Sequence, residues 1–164
     1  MTPKEIIHLS HYNAWANETL YLACSQLSET EYKLERKSYF GSIHNTLNHI
    51  LVGDRIWFGR LENVLENLGL GDILYDDFNN LSSARTIEDQ RIISFAEKIT
   101  QARLDGVLDY KNVAGDFYSD PMDIIIRHIF NHQTHHRGQV HCLLSQTDVP
   151  PPSLDIMYYM RAND

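Results

Sequence analysis

The sequence predicts an all-α fold: a four-helix bundle with a long crossover between its second and third helices. Three observations predict it. Four long segments place apolar residues at helical spacing, their starts carry capping signals, and the link between the middle two is long enough to run the length of a bundle.

The elements follow in order. Thr2-Pro3-Lys4-Glu5 reads as a capping box with proline at the first helical position, opening a helix to about Leu27. A second runs from about Ser42 to Leu68 and is closed by Gly69. Thr86 followed by Asp89 opens a third, ending near Leu108. Asp120-Pro121 with Asp123 opens the fourth, which persists to about Gln146 before Val149-Pro150-Pro151-Pro152 forbids more. The tail SLDIMYYMRAND forms one short helix. The link 69–85, fully extended, reaches roughly 55 Å, whereas a helix of about 26 residues is roughly 39 Å long. It can therefore cross the whole bundle and leave helices two and three parallel. Between helices three and four, VLDYKNVAGDFYSD alternates weakly around Ala114-Gly115, as a small hairpin does.

The 164 residues suit one domain over 1–164 with a substantial core. Fourteen basic against twenty-two acidic side chains give a formal charge of −8, which argues against nucleic acid or an anionic membrane as the main partner. No apolar stretch is long enough for a transmembrane helix, and MTPKEIIHLSHYNAW is not a signal peptide. Cys24 and Cys142 fit no disulfide framework or CxxC motif. A reducing cytoplasm is the expected location.

Chemistry concentrates in HIFNHQTHHRGQVH, residues 128–141, which holds five of the nine histidines. With His132 set at zero on a helical wheel, His136 lies at about 40° and Gln139 at about 340°, in the same apolar stripe as Ile125, Ile129 and Leu143. His128 at about 320° and His135 at about 300° flank the stripe, and His141 at about 180° faces away. An inward i, i+4 histidine pair is how one helix presents two nitrogen ligands to one ion. The competing reading is a pair of hydrogen-bonded core histidines, since an unmet buried polar group costs about 1–3 kcal/mol. A third ligand must come from another helix. In the second, His44 and His49 are about 140° apart and cannot share a site. His49 shares its face with Gly53, which leaves space beside an imidazole, and is the choice. A ferritin-like di-iron site is unsupported, because Glu5-Ile6-Ile7-His8 is the sole Glu-x-x-His match. A zinc protease is unsupported too, because Gln133 stands where its general base belongs.

YNAWANETL at 12–20, LNHILVGDRIWFGRL at 47–61 and above all NHQTHHRGQV at 131–140 resemble the DinB-like (DinB/YfiT-like) family of metalloenzymes over nearly the whole chain. The resemblance implies a divalent metal on His49, His132 and His136 with water completing the shell. It also settles the competition between His128/His132 and His132/His136 in favour of the second pair. It further implies a homodimer. Family members of known chemistry include bacillithiol S-transferases and a mycothiol-dependent maleylpyruvate isomerase.

Three neutral imidazoles with an open position form the pattern of catalytic zinc, and both Zn²⁺ and Ni²⁺ suit imidazole. The leading expectation is transfer of a low-molecular-weight thiol to an electrophilic small molecule, the sulfur reacting as thiolate. Gln139 is expected to orient a ligand or bind substrate, and Tyr12 and Trp15 to line the pocket. Arg137 is expected to make a helix–helix or subunit salt bridge. The alternatives are a metal-dependent hydrolase, for which Asp54 is the nearest acidic residue in sequence but about 140° from His49, and a non-catalytic metal-binding stress-response protein whose site is closed by a fourth ligand such as His128.

Overall fold

The computed structural model describes residues 1–64 and 66–162. Four long helices make the bundle: α1 (Pro3–Cys24), α3 (Ile43–Glu62), α4 (Phe78–Lys98) and α6 (Met122–Leu144). Short helices α2 (Glu29–Lys33), α5 (Gln101–Leu104) and α7 (Ile156–Ala162) lie in the connections and tail. Strands β1 (Val107–Lys111) and β2 (Phe117–Pro121) pair antiparallel.

The capping box at Thr2 and Glu5 forms as the sequence predicts, and Ser42 caps α3 by accepting from the Asn45 N–H. Four boundaries differ from expectation. Helix α3 stops at Glu62 rather than Leu68, because Asn63 adopts left-handed φ/ψ and the Val64 N–H closes onto the Gly59 carbonyl at 2.7 Å. The cap of α4 stands nine residues before Thr86: it is Asp77, accepting from the Asn80 N–H at 2.8 Å. Thr86 sits inside the helix and donates to the Ser82 carbonyl. Asn79, Asn80, Ser82 and Ser83 resemble a loop by composition, yet Leu81 and Ala84 among them are buried at helical spacing. Helix α4 also ends at Lys98, where Ile99 turns extended, and Thr100 caps α5. Asp120 does not cap α6. It lies in β2 and accepts from the Tyr110 hydroxyl at 2.8 Å, leaving Pro121 at the cap position with no side-chain bond. The hairpin and the tail helix are where the sequence places them.

Side-chain pairs fix the helix directions. Asp54 with Arg85 and Glu62 with Arg91 run in the same order, so α3 and α4 are parallel. Asn17 with Asp89 and Tyr21 with Phe78 run in opposite order, so α1 and α4 are antiparallel. Trp57 with His128 and His49 with His136 make α3 and α6 antiparallel too. The crossover is thus 63–77, running the length of the bundle, and Asn48 pins its far end. The buried Asn48 Oδ1 accepts from the Leu74 and Tyr75 N–H groups at 2.9 and 3.1 Å.

The core is divided. One apolar cluster, around Leu20, Leu47, Leu51, Leu81, Val140 and Leu144, fills one end, and another, around Ile6, Phe58, Ile92, Ile126 and Ile129, fills the other. Each such buried side chain contributes about 1.5–3 kcal/mol over its exposed state. Between them lies a polar layer to which every bundle helix contributes, with Asn13, Asn17, Asp54, Arg85, Asp89, Gln133 and Arg137 all buried.

A candidate metal centre in the polar layer

Helix α6 presents His132 and His136 one turn apart, and antiparallel α3 brings His49 opposite them. One ring nitrogen from each of the three lies within 4.8 Å of the others, and the Nε2 atoms of His49 and His132 are 3.2 Å apart. Nitrogens bound to tetrahedral zinc at about 2.0–2.1 Å stand about 3.3 Å from one another. The donor set therefore fits a divalent ion that favours imidazole.

Burial lowers the pKa of all three rings. For His132 it does so to about 3, with His136 and His49 adding to the effect. The rings are neutral at pH 7 and their lone pairs are available. Two are oriented from behind. His49 Nδ1 donates to the Leu70 carbonyl at 2.9 Å, and His136 Nδ1 donates to Gln139 Oε1 at 2.8 Å, so both direct Nε2 inward. The Gln139 amide in turn donates to His135 Nε2 at 3.2 Å. Gln139 thus orients a candidate ligand, one of the two roles the sequence suggests.

Gly53 leaves room, but for a different ring than expected. A Cβ there would stand 2.8 Å from Cε1 of His132, so the space that seemed to lie beside His49 is filled by His132 itself. Phe40 is a site residue that the sequence reading missed. It stacks on His49 with ring centroids 4.1 Å apart and meets His136 edge-on at 5.4 Å. It lies outside the periodic helices, beside Gly41, whose φ of +79° favours glycine.

His128 does not join the three. It packs edge-on against Trp57 at 5.2 Å, and burial followed by the charge of Arg60 lowers its pKa. His135 is exposed and His141 half-buried. Tyr12 and Trp15 are absent from the cleft. They pack against Tyr159 of α7, and the Tyr12 hydroxyl donates to the Leu154 carbonyl at 2.8 Å. The cleft over the histidines has a volume of about 570 Å³, and His49, His132, Trp57, Arg60 and Tyr110 line it.

Two residues expected at the margins are buried beside the site. Arg137 makes no salt bridge among the described residues. Its guanidinium donates to Oδ1 of Asn13 and Asn17 and to Oε1 of Gln133. Asp54 accepts from Arg85 and from Gln133, and burial raises its pKa to about 7 against the pull of Arg85. Its carboxylate is committed to these partners on the side of α3 away from His49.

The sequence model of the DinB family matches residues 1–164. Protein DinB of Bacillus subtilis (strain 168) is 26% identical over 163 residues, spanning 93% of this chain and 91% of that protein. A solved structure of a DinB-like protein from Bacillus cereus ATCC 10987 shares the fold. It has a TM-score of 0.65 at 16% identity, and the match covers 84% of this chain and 89% of that one. No described helix is long and apolar enough to cross a membrane.

Proposed function

This chain belongs to the DinB family, and on that premise we propose that it is a metal-dependent transferase that joins a low-molecular-weight thiol to an electrophilic small molecule. One observation carries the reading: three neutral imidazoles converge, two of them (His49 and His132) line a cleft, and no fourth protein ligand joins them among the described residues. A structural zinc site is usually closed by four protein ligands, whereas three leave a position for an exchangeable group. His49, His132 and His136 would hold the ion, Zn²⁺ or Ni²⁺. When bound, it supplies a Lewis acid that favours thiolate over thiol at neutral pH.

The protein's own part is positioning and exclusion of water. Leu70 and Gln139 hold two imidazoles at fixed tautomer and angle, and Phe40 covers their rings. In the transfer, sulfur forms a bond to the electrophilic carbon. The carbon's bond to its leaving group breaks with both electrons, and the thiol proton passes to solvent.

The lining favours transfer over hydrolysis. Hydrolysis wants a carboxylate beside the reacting water to accept a proton, and the described residues of the cleft include neither Asp nor Glu. Metal analysis of untagged protein, wild type and His49→Ala, His132→Ala and His136→Ala, is the first test. The expected result is about one divalent ion per chain, lost in each variant with helicity retained. Titration of cobalt-substituted protein with 2-mercaptoethanol should then produce a sulfur-to-metal charge-transfer band. Metal without that band would favour the non-catalytic alternative, and no metal at all would end the metalloenzyme reading.

A further inference from the structure

Arg60 differs from most arginines of this chain. Arg36, Arg55, Arg85, Arg91 and Arg127 each lie within 4.0 Å of a carboxylate. Arg60 has no carboxylate at that distance among the described residues. Its guanidinium instead packs over Trp57 at 4.5 Å and Tyr110 at 4.8 Å from the ring centroids. In a protein of formal charge −8, the described lining of the histidine cleft holds one fixed charge, and it is this cation.

Position reinforces the chemistry. Arg60 lies about 20° around α3 from His49 and about 16 Å further along the axis, on the face that points into the cleft. Its side chain leans back toward the histidines over Trp57, which itself meets His128, the ring one turn from His132. The two ring centroids are 5.2 Å apart, so both rings lie to one side of the guanidinium, and none of its N–H groups donates to a described residue. A planar fork of N–H donors suits a carboxylate, which it can bind through two parallel hydrogen bonds.

We propose that the cleft accepts an elongated acidic small molecule, its carboxylate paired with Arg60 and its reacting end at the three histidines. This deepens the thiol-transfer reading and rests on it for the reacting end, but the carboxylate subsite has its own test. Four six-carbon probes separate the two ideas: 6-mercaptohexanoate, 6-mercaptohexanol, hexanoate and hexanol. Each is titrated into zinc-loaded full-length chain, with binding read by calorimetry and by tryptophan fluorescence, for which Trp57 is the local reporter.

Wild type should bind 6-mercaptohexanoate at least about tenfold more tightly than 6-mercaptohexanol, equivalent to about 1.4 kcal/mol. Arg60→Gln should erase that preference, so that the acid binds no more tightly than the alcohol. Arg60→Lys should retain part of it. Equal affinities for the acid and the alcohol in wild type, or a preference that survives Arg60→Gln, overturns the subsite. If hexanoate is favoured over hexanol through Arg60 while sulfur adds nothing, the subsite stands and the thiol reading fails. If sulfur strengthens binding with no preference for the acid, the thiol reading stands and the subsite fails.

Discussion

Helix α6 carries two polar pairs at i, i+4, one residue out of step. Gln133 and Arg137 face the centre of the bundle; His132 and His136 face α3 and the cleft. The first pair belongs to a linked set. Asp54, Arg85 and Asp89 are linked by ion pairs, Asn17 joins Asp89 to Arg137, and Gln133 joins Arg137 to Asp54. Two acids face two arginines, and the neutral amides connect them. The second pair meets His49, with one nitrogen from each ring turned toward the others, and only His49 and His136 are held from behind. Of two buried polar clusters built on the same turns, the one whose partners are all protein serves the fold. The one that leaves lone pairs facing each other invites a cation.

The sharpest way to break the comparison is to break the linked set. Asp54→Ala leaves Arg85 buried beside a lost partner and should cost about 3–5 kcal/mol in denaturant unfolding of metal-free protein. A cost below about 1 kcal/mol would show that water can replace the carboxylate. Next in size is His132→Ala. Metal affinity should fall by more than the about 10–100-fold typical of losing an outer partner, while metal-free stability changes by about 1 kcal/mol or less. A large loss of metal-free stability would place His132 among the structural residues. Gln139→Ala should weaken metal binding about 10–100-fold by freeing the His136 ring, and unchanged affinity would mean the amide is idle. Gly53→Ala pushes a methyl group against His132. Overpacking of about 1–3 kcal/mol should appear as roughly tenfold weaker metal binding, and normal affinity would show that the ring slides aside freely.

A separate test is the pH dependence of metal-free protein. The lowered pKa of His132 means that its neutral form is favoured by folding. The associated stability is complete above the unfolded pKa near 6.5 and is lost as pH falls toward about 3. Unfolding curves between those limits should be steeper in wild type than in His132→Ala. Parallel curves would mean that the ring is solvated when no metal is bound.

Much of this was legible in the sequence, and its failures have physical causes. Helical period places His49, His132 and His136 on facing stripes, but the family resemblance was needed to prefer His132/His136 over His128/His132; the capping box at Thr2 and the crossover's parallel outcome followed from local chemistry and chain length. The start of α4 was misplaced because Ser82, Ser83 and Asn80 suit either a loop or a solvated helix face, and tertiary burial of Leu81 and Ala84 decides between them. Arg137 was misread because its partners are amides on α1, more than a hundred residues away, and period alone cannot identify them. Phe40 and Arg60 gave no signal as site residues. One lies outside any periodic element, and the other is notable only for the carboxylate it lacks.

The hydrogen bond behind His49 comes from the main chain at Leu70, whose own side chain is 55% exposed. A carbonyl is common to all amino acids, so this support is written in the length and bend of the chain, not in its spelling. The turn that presents it is held by Asp72, whose carboxylate accepts the Gly69 N–H at 2.8 Å. In a library of variants, position 70 should drift freely under selection for metal binding and position 72 should drift less. Single-residue insertions or deletions between 66 and 72 should be purged.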